Sequence, residues 1–365
     1  MNVMWAGRFI AGTGIGMHSM VVPVYIAECS PEHVRGRLDT LWVFAITIGI
    51  LVASACNIGL RKWNKSWRIS YGGNILFSII LLFSLIFMPE SPRWLAANAS
   101  EEEVIKALKK TRYENEIERE IEELRQETEE EKLSGSSSWK ELFSNDNKMM
   151  YRTLLGMRLQ LTLTLSGILS IMFYAPDILH TFFTPGQALI GTFVLNIINF
   201  LYTFITFWAI DRFGRVKTLA SGGTIMCAAM ISNAVLSAQT QSIKIGYLVS
   251  VSSAFFIMGF AYSWGPVVWV LCSEMFLLRY RGKATGLTAR THWVGAVLLG
   301  AVSPAASTAS LSGCFIFFAV VISLGVVNVH LFHVETSNLL TEFDIKYLEK
   351  KVCNMEKKGS IRCKQ

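Results

Sequence analysis

Long apolar runs dominate this sequence. It contains about nine stretches of roughly 20 apolar residues with almost no charged side chains among them, the length that an α-helix needs to cross the hydrocarbon core of a bilayer. Helices are expected, because backbone polar groups in lipid must be satisfied within their own segment. The pattern predicts an all-α polytopic membrane protein with spans at about 3–26, 38–60, 70–88, 153–180, 187–210, 218–238, 246–272, 284–306 and 312–332.

Charged residues are few and unevenly placed. They make up 17% of the chain, against about 25% in ordinary soluble domains, and they crowd into residues 100–150, the C-terminal tail and short loops. The crowded internal segment favours helix until its Ser/Gly stretch, which indicates a solvated helical linker rather than a protein-docking element. The resulting domains are a partial N-terminal helix bundle at 1–90, a cytoplasmic helical linker at 91–150, a C-terminal six-helix bundle at 151–334 and a cytoplasmic tail at 335–365.

A polar loop occurs twice, each time between two apolar runs. Glu28 is followed by Arg35-Gly36-Arg37, and Glu274 is followed at the same spacing by Arg281-Gly282-Lys283. The second copy follows four spans of its half and the first copy follows only one. If the two halves are equivalent, each should contain six helices. This sequence is then expected to hold nine of twelve helices and to lack three at its N-terminal end. Repeated helical halves are the common plan of secondary transporters.

The distribution of basic residues orients the chain. Cytoplasmic loops carry an excess of Lys and Arg, so the loops at 28–37, 90–150, 211–217 and 274–283 and the tail are expected in the cytoplasm. The basic stretch at 61–68 is an exception, because the alternation of the spans places it outside the cell. The glycosylation sequon at Asn64 is then extracellular and the one at Asn98 cytoplasmic. We expect a multi-pass protein of the plasma membrane.

Other classes of function find little support. The seven Cys show no CxxC motif or ligand spacing, and the six His are scattered with no nucleophile beside them, so we expect no metal site, cofactor or enzyme. The net charge of +7 is not arranged as a basic patch interleaved with aromatics, so no nucleic-acid partner is expected. The expected partners are the lipid bilayer and a small solute.

Five motifs stand in order along the chain: GRF at 7–9, PESPRWL at 89–95, DRFGR at 211–215, SWGPVVW at 263–269 and VETS at 334–337. Together with the two Arg-Gly loops they resemble the sugar-porter branch of the major facilitator superfamily, which includes facilitative hexose transporters and proton-coupled sugar or inositol symporters. The resemblance implies the major facilitator fold, truncated at its N-terminus, and transport of a sugar or polyol by alternating access.

Charged residues at the predicted cytoplasmic helix ends suggest a gate between the halves. Opposite charges there could bridge the halves in one state and separate in the other; the alternative is that they anchor helix ends in the headgroup region. The gate candidates are Glu28, Arg35, Glu90, Arg93, Asp211, Arg212, Arg215, Glu274, Arg281 and Glu335.

Polar and aromatic side chains inside the spans are candidates for binding the substrate, because polar groups are costly in a bilayer. By resemblance, Gln160 matches a sugar-binding Gln, and Thr164 stands where the family has a Gln. The full set of candidates is Gln160, Thr164, Asn199, Trp269, His292 and Trp293.

Several expected polar contacts are replaced in this sequence. Val43, Leu163 and Leu169 occupy positions where the family has Gln or Asn, and His292 replaces Asn or Gln. The substrate could therefore be a polyol, a more apolar solute or a sugar bound with His292; alternatively, the chain is a non-transporting relative, a sensor or an inactive fragment. Arg8 matches an Arg that pairs with an acid in proton-coupled relatives, which leaves passive and proton-coupled transport both open.

Overall fold

The computed structural model describes residues 2–30, 35–134, 138–144, 149–239, 242–276 and 278–332. Glu335 and the predicted tail lie outside these residues. The described segments form helices α1 (Asn2–Cys29), α2 (Arg35–Leu60), α3 (Ser66–Leu85), α4 (Pro92–Asn98), α5 (Glu101–Thr111), α6 (Glu114–Ser134), α7 (Met149–Leu165), α8 (Ile168–His180), α9 (Pro185–Phe213), α10 (Arg215–Ser237), α11 (Ile243–Gly259), α12 (Gly265–Glu274), α13 (Leu278–Ala309) and α14 (Leu311–Phe332).

Eight helical segments within the described residues are long and apolar enough to cross a membrane. They match eight of the nine predicted spans, with α7–α8 and α11–α12 each acting as one interrupted span. The ninth prediction, 284–306, falls within the 32-residue helix α13. This helix is long enough but more polar, because Arg290 and His292 lie in its first half. An all-helical fold with the predicted order of spans is therefore confirmed.

Helices α7–α14, here called the second bundle, contain the main hydrophobic core. At its centre Trp264 is 1% exposed, and its indole N–H donates to the Leu219 carbonyl at 2.9 Å. That bond satisfies the donor of a Trp buried in an apolar environment. Trp264 closes a π-helical turn, Phe260–Trp264, that joins α11 to α12. Gly222 of α10 packs against this turn so closely that a Cβ would lie 1.7 Å from the Ser263 hydroxyl.

A break separates α7 from α8 at Gly167. Its φ of +90° lies in the left-handed region, which glycine adopts without steric cost. The Phe318 ring of α14 occupies the space beside it, so an added Cβ would lie 2.5 Å from Cδ2 of that ring. The span formed by α7 and α8 is thus interrupted here by backbone geometry and packing together.

Helices α1–α3, here called the first bundle, bury far less of their surface. No residue of α3 is buried, and among the described residues the main core cluster takes none from α1, α2 or α3. One contact with the second bundle is made by the aromatic ring of Phe44 on α2. Its centroid lies 5.2 Å from that of Phe200 and 4.5 Å from that of Phe204, both on α9.

The charged segment between the bundles folds into a small helical unit, α4–α6, with its own core. That core contains Leu95, Val104, Ala107, Leu108 and Ile117. Arg112 attaches the unit to α1: its guanidinium donates to the Cys29 carbonyl at 2.6 Å and pairs with Glu120 at 2.5 Å. The Arg112 side chain is only 2% exposed. The segment therefore has charged outer faces but is docked rather than free.

Residues 138–144 attach to the second bundle. Leu142 is fully buried, and its carbonyl accepts a hydrogen bond from Thr153 of α7 at 3.1 Å. The Tyr280 hydroxyl of α13 donates to the Glu141 carboxylate at 3.0 Å. The side of the molecule that carries these contacts and α4–α6 is called the linker face below.

Candidate functional site

Gln160 and Thr164 lie one turn apart on α7 and are both fully buried. Residues four apart share one face of a helix, and here the Thr164 hydroxyl donates to the Gln160 carbonyl at 2.8 Å. The other face of the site is α13, where His292 Nδ1 lies 2.8 Å from the same hydroxyl. A hydroxyl has only one proton. When Thr164 donates that proton to the Gln160 carbonyl, its hydrogen bond with His292 must use a proton on Nδ1. His292 is then the donor in that bond, and its Nε2 is left as an acceptor.

His292 is also in contact with two tryptophans. Its ring centroid lies 5.3 Å from that of Trp269 on α12 and 5.4 Å from that of Trp293 on α13. Gln160, Thr164, Trp269, His292 and Trp293 therefore form one contiguous group, the central cluster. Five of the six predicted substrate-binding residues lie in it.

The side-chain amide of Gln160 has a contact at its nitrogen but no hydrogen-bond partner at its oxygen among the described residues. Its Nε2 makes a long contact of 3.9 Å with the Cys272 sulfur, while its Oε1 is buried without a hydrogen-bond partner among the described residues. An unpaired buried acceptor costs about 1–3 kcal/mol. Such an atom fits a site that binds a donor from outside the chain, such as a hydroxyl.

The sixth candidate, Asn199, is 5% exposed on α9. Its carbonyl accepts a hydrogen bond from Thr203 at 2.8 Å, but no hydrogen bond among the described side chains joins its amide to the central cluster. The adjacent Phe200 stacks on Phe44 of α2. Asn199 thus lies at the contact between the two bundles.

Two residues from the first bundle reach the central cluster and were not predicted. The Trp293 indole N–H donates to the Ser19 hydroxyl of α1 at 2.9 Å, and Trp42 of α2 meets Trp269 edge to face at 5.4 Å. Ser19 is a polar residue within an apolar run, which was the available signal. Trp42 precedes Val43, where a Gln was expected, and its own importance had no separate sequence signal.

The gate candidates among the described residues lie on the linker face. Glu28 lies in the last turn of α1 and accepts a hydrogen bond from Ser91, which belongs to the same half and also caps α4. Arg212 lies over the Trp208 ring on its own helix, 5.1 Å from its centroid. The backbone, but not the side chain, is described for Arg35, Asp211 and Glu274. Arg93, Arg215 and Arg281 are helix positions at this face, and Glu90 lies in the segment before α4. The gate itself remains a prediction.

Arg8 has a partner that the sequence did not indicate. Its guanidinium donates to the Tyr71 hydroxyl of α3, with its central carbon 5.6 Å from the ring centroid. A cavity of about 390 Å³ lies nearby between α2 and α3, lined in part by Asn57, Trp67, Tyr71 and Asn74. It is an open surface groove that includes none of the predicted substrate-binding residues.

No group of three or more His, Cys, Asp or Glu side chains within the described ranges is placed to hold a metal ion. The central cluster contains no acidic or basic side chain other than a single imidazole. Such a group can hold a neutral molecule, with hydrogen-bonding groups on α7 and aromatic rings on α12 and α13.

A model of the family described as "Sugar (and other) transporter" matches residues 1–346. The chain belongs to the sugar transporter family. This is a family of transporters within the major facilitator superfamily, and not of enzymes. The chain is 26% identical to the proton:xylose symporter XylE, whose structure with bound 6-bromo-6-deoxy-D-glucose superimposes with a TM-score of 0.78 over 90% of this chain and 70% of that one. The major facilitator fold is thereby confirmed.

Four relatives illustrate the range of the family. The chain is 32% identical to the glucose transporter GlcP of Staphylococcus epidermidis, over 93% of this chain and 75% of that protein. It is 32% identical to the galactose-proton symporter of Escherichia coli K12, over 82% of this chain and 64% of that protein. It spans 56% of hexose transporter 2 of Kluyveromyces lactis and 54% of the galactose transporter of Saccharomyces cerevisiae.

Proposed function

We propose that the protein takes part in transmembrane transport of a sugar or polyol by alternating access. The observation that carries this proposal is the Gln160 Oε1 atom, a buried acceptor without a hydrogen-bond partner in the described structure. It belongs to the same central cluster as the rings of Trp269 and His292. A hydroxyl can occupy the acceptor while the C–H face of a sugar packs on the rings. Membership of the sugar transporter family and likeness to XylE support the same function.

Alternating access requires two bundles that can separate on either side of a central site. The central cluster belongs to the second bundle, and Ser19 and Trp42 contact it from the first. A solute bound to the central cluster would lie where the bundles meet. A single net hydrogen bond contributes only about 0.5–1.5 kcal/mol, so such contacts can break and reform within the few kcal/mol that separate two conformations.

The charged helix ends would serve as the second set of reversible contacts. Exposed ion pairs contribute about 0–1 kcal/mol each, which suits a gate that must open in every cycle. In this proposal the candidates named above hold the linker face closed while the site is open on the opposite face. Rocking of one bundle against the other then exposes the site to the linker face.

The linker face would be cytoplasmic and the protein would reside in the plasma membrane. Asn64 precedes α3 and Asn98 ends α4, so the two sequons lie beyond opposite ends of the span Ser66–Leu85. Expression in a glycosylating host should give a glycan at Asn64 that the Asn64→Gln substitution removes, with Asn98→Gln as the silent control. A glycan at Asn98 would reverse the orientation.

Coupling to protons is the open choice within this function. The similarity to the galactose-proton symporter and to XylE favours a proton-coupled form, and Arg8 would then act with Tyr71. Uptake that collapses with a protonophore and loses its pH dependence in Arg8→Gln would support this role. Uptake that is unaffected by a protonophore would show passive transport.

The decisive experiment is uptake by transporter-null cells of labelled glucose, fructose, xylose and myo-inositol. We expect saturable uptake of at least one, abolished in Gln160→Leu and retained in Asn233→Leu, which removes a buried amide on α10 that bonds Ser253 away from the site. Absence of both uptake and binding, with normal insertion in the membrane, would favour a non-transporting relative.

A further inference from the structure

Four aromatic rings form a continuous row across the contact between the two bundles. Trp42 on α2 meets Trp269 on α12 at 5.4 Å and an interplanar angle of 80°. Trp269 meets His292 at 5.3 Å and 64°, and His292 meets Trp293 at 5.4 Å and 86°. Edge-to-face packing of this kind is favourable for aromatic pairs. The row thus starts in the first bundle and ends in the second.

Most polar atoms along this row are already bound to one another. The Trp293 indole N–H donates to Ser19, whose own hydroxyl donates to the Gly16 carbonyl at 2.8 Å. His292 Nδ1 and the Thr164 hydroxyl are likewise paired. Within the described part of the central cluster, the Gln160 Oε1 atom is the buried side-chain acceptor that has no hydrogen-bond partner and is left for a solute.

The surroundings of the row favour an uncharged and partly apolar solute. A free hexose has five hydroxyls, and each hydroxyl that is desolvated without a partner costs about 1–3 kcal/mol. The Gln160 acceptor can satisfy only part of that set. Four aromatic rings, in contrast, provide a large surface for apolar contact. A sugar in which a flat apolar group replaces one hydroxyl hydrogen would match both the polar atoms and the aromatic rings of this site.

Resting on the proposed function, we infer that the site takes a glycoside with an aromatic aglycone in preference to the free sugar, and that Trp42 determines this specificity. The sugar ring occupies the Gln160 side, and the aglycone packs against Trp42 and Trp269. Because Trp42 belongs to the first bundle, the aglycone also bridges the two bundles. Replacement of Trp42 by a small residue should remove the preference without removing sugar binding.

The test is equilibrium binding to the purified full chain in lipid nanodiscs. The probes are phenyl β-D-glucopyranoside, methyl β-D-glucopyranoside as its match without the ring, and phenol as the ring without the sugar. We expect phenyl glucoside to bind about tenfold or more tightly than methyl glucoside, a difference of about 1.4 kcal/mol. In Trp42→Val the two glucosides should bind within about twofold of each other. Trp5→Val, a change at an exposed Trp of α1, should leave the preference intact.

Each of the remaining outcomes would contradict one specific claim about the site. Equal binding of the two glucosides by the unmodified chain would overturn the inference and leave the proposed function standing. A preference that survives Trp42→Val would remove Trp42 from the site. Binding of phenol as tight as that of phenyl glucoside would show non-specific apolar partition, contrary to the inference. Failure of both glucosides and of every sugar in the uptake panel would overturn the proposed function as well.

Discussion

His292 Nδ1 lies 2.8 Å from the Thr164 hydroxyl and joins α13 to α7 across 128 positions of the sequence. By resemblance to the family, both residues stand where Gln or Asn side chains are usual. The two replacements meet each other, so they behave as a matched pair. The pair holds the imidazole in contact with Trp269 and Trp293 and fixes the direction of its second nitrogen.

Substitution of Thr164 by Val should weaken sugar binding with little effect on folding. Valine fills the same volume but removes the partner of His292, and loss of one hydrogen bond of about 1 kcal/mol corresponds to about fivefold in the dissociation constant. The constant is measured for methyl β-D-glucopyranoside in nanodiscs. Thr192→Val is the control, because Thr192 is buried and, among the described residues, its hydroxyl donates to the Ala188 carbonyl of its own helix. Equal losses in both variants would contradict a role in binding.

The apolar runs sufficed to predict the helices and their order, because the bilayer imposes the same length on each span. Gln160 and His292 could be proposed from single positions, since polar groups in a span are rare. The contacts between the bundles could not be predicted in this way, because the pairs Ser19–Trp293 and Trp42–Trp269 depend on how the two bundles meet. The bend at Gly167 is another tertiary feature, set by a backbone angle together with the Phe318 ring.

Substitution of Gly167 by Ala should destabilise the second bundle. The φ of +90° is strained for any residue with a Cβ, and the new methyl group would meet Phe318. Together these effects should cost about 2 kcal/mol or more, measured as a lower apparent melting temperature of the purified protein. Gly300→Ala is the matched control on α13, since nothing lies within 4 Å of the position that a Cβ would take there. A Gly167→Ala protein as stable as the control would refute the bend.

Substitution of Arg112 by Ala should release α4–α6 from the end of α1. It removes a side chain that is 2% exposed and leaves both the Glu120 carboxylate and the Cys29 carbonyl without this donor. Hydrogen bonds to charged groups contribute about 1.5–3 kcal/mol each, so limited proteolysis within 91–134 should accelerate by about tenfold or more.

The control for that experiment is Arg125→Ala. Arg125 pairs with Glu101 in the same helical unit, but both side chains are more than half exposed. Solvent screens such a pair, so its removal should leave the proteolysis rate unchanged. An unchanged rate in both variants would mean that the helices are held by their apolar core alone.

The Cys29 thiol at the end of α1 should react slowly with maleimide at neutral pH. Burial raises the pKa of this thiol above its ordinary value, and the Glu28 carboxylate acts in the same direction, outweighing the opposite effects of Tyr25 and Arg112. Because the thiolate is the reactive form, a raised pKa lowers the rate at every pH below it.

The labelling rate of a chain with Cys29 as its single Cys should still be rising above pH 9. Restricted access alone would scale the rate equally at all pH values, so the profile separates the two causes. The same chain unfolded in detergent should reach its plateau at lower pH, and coincident profiles would contradict the burial of Cys29.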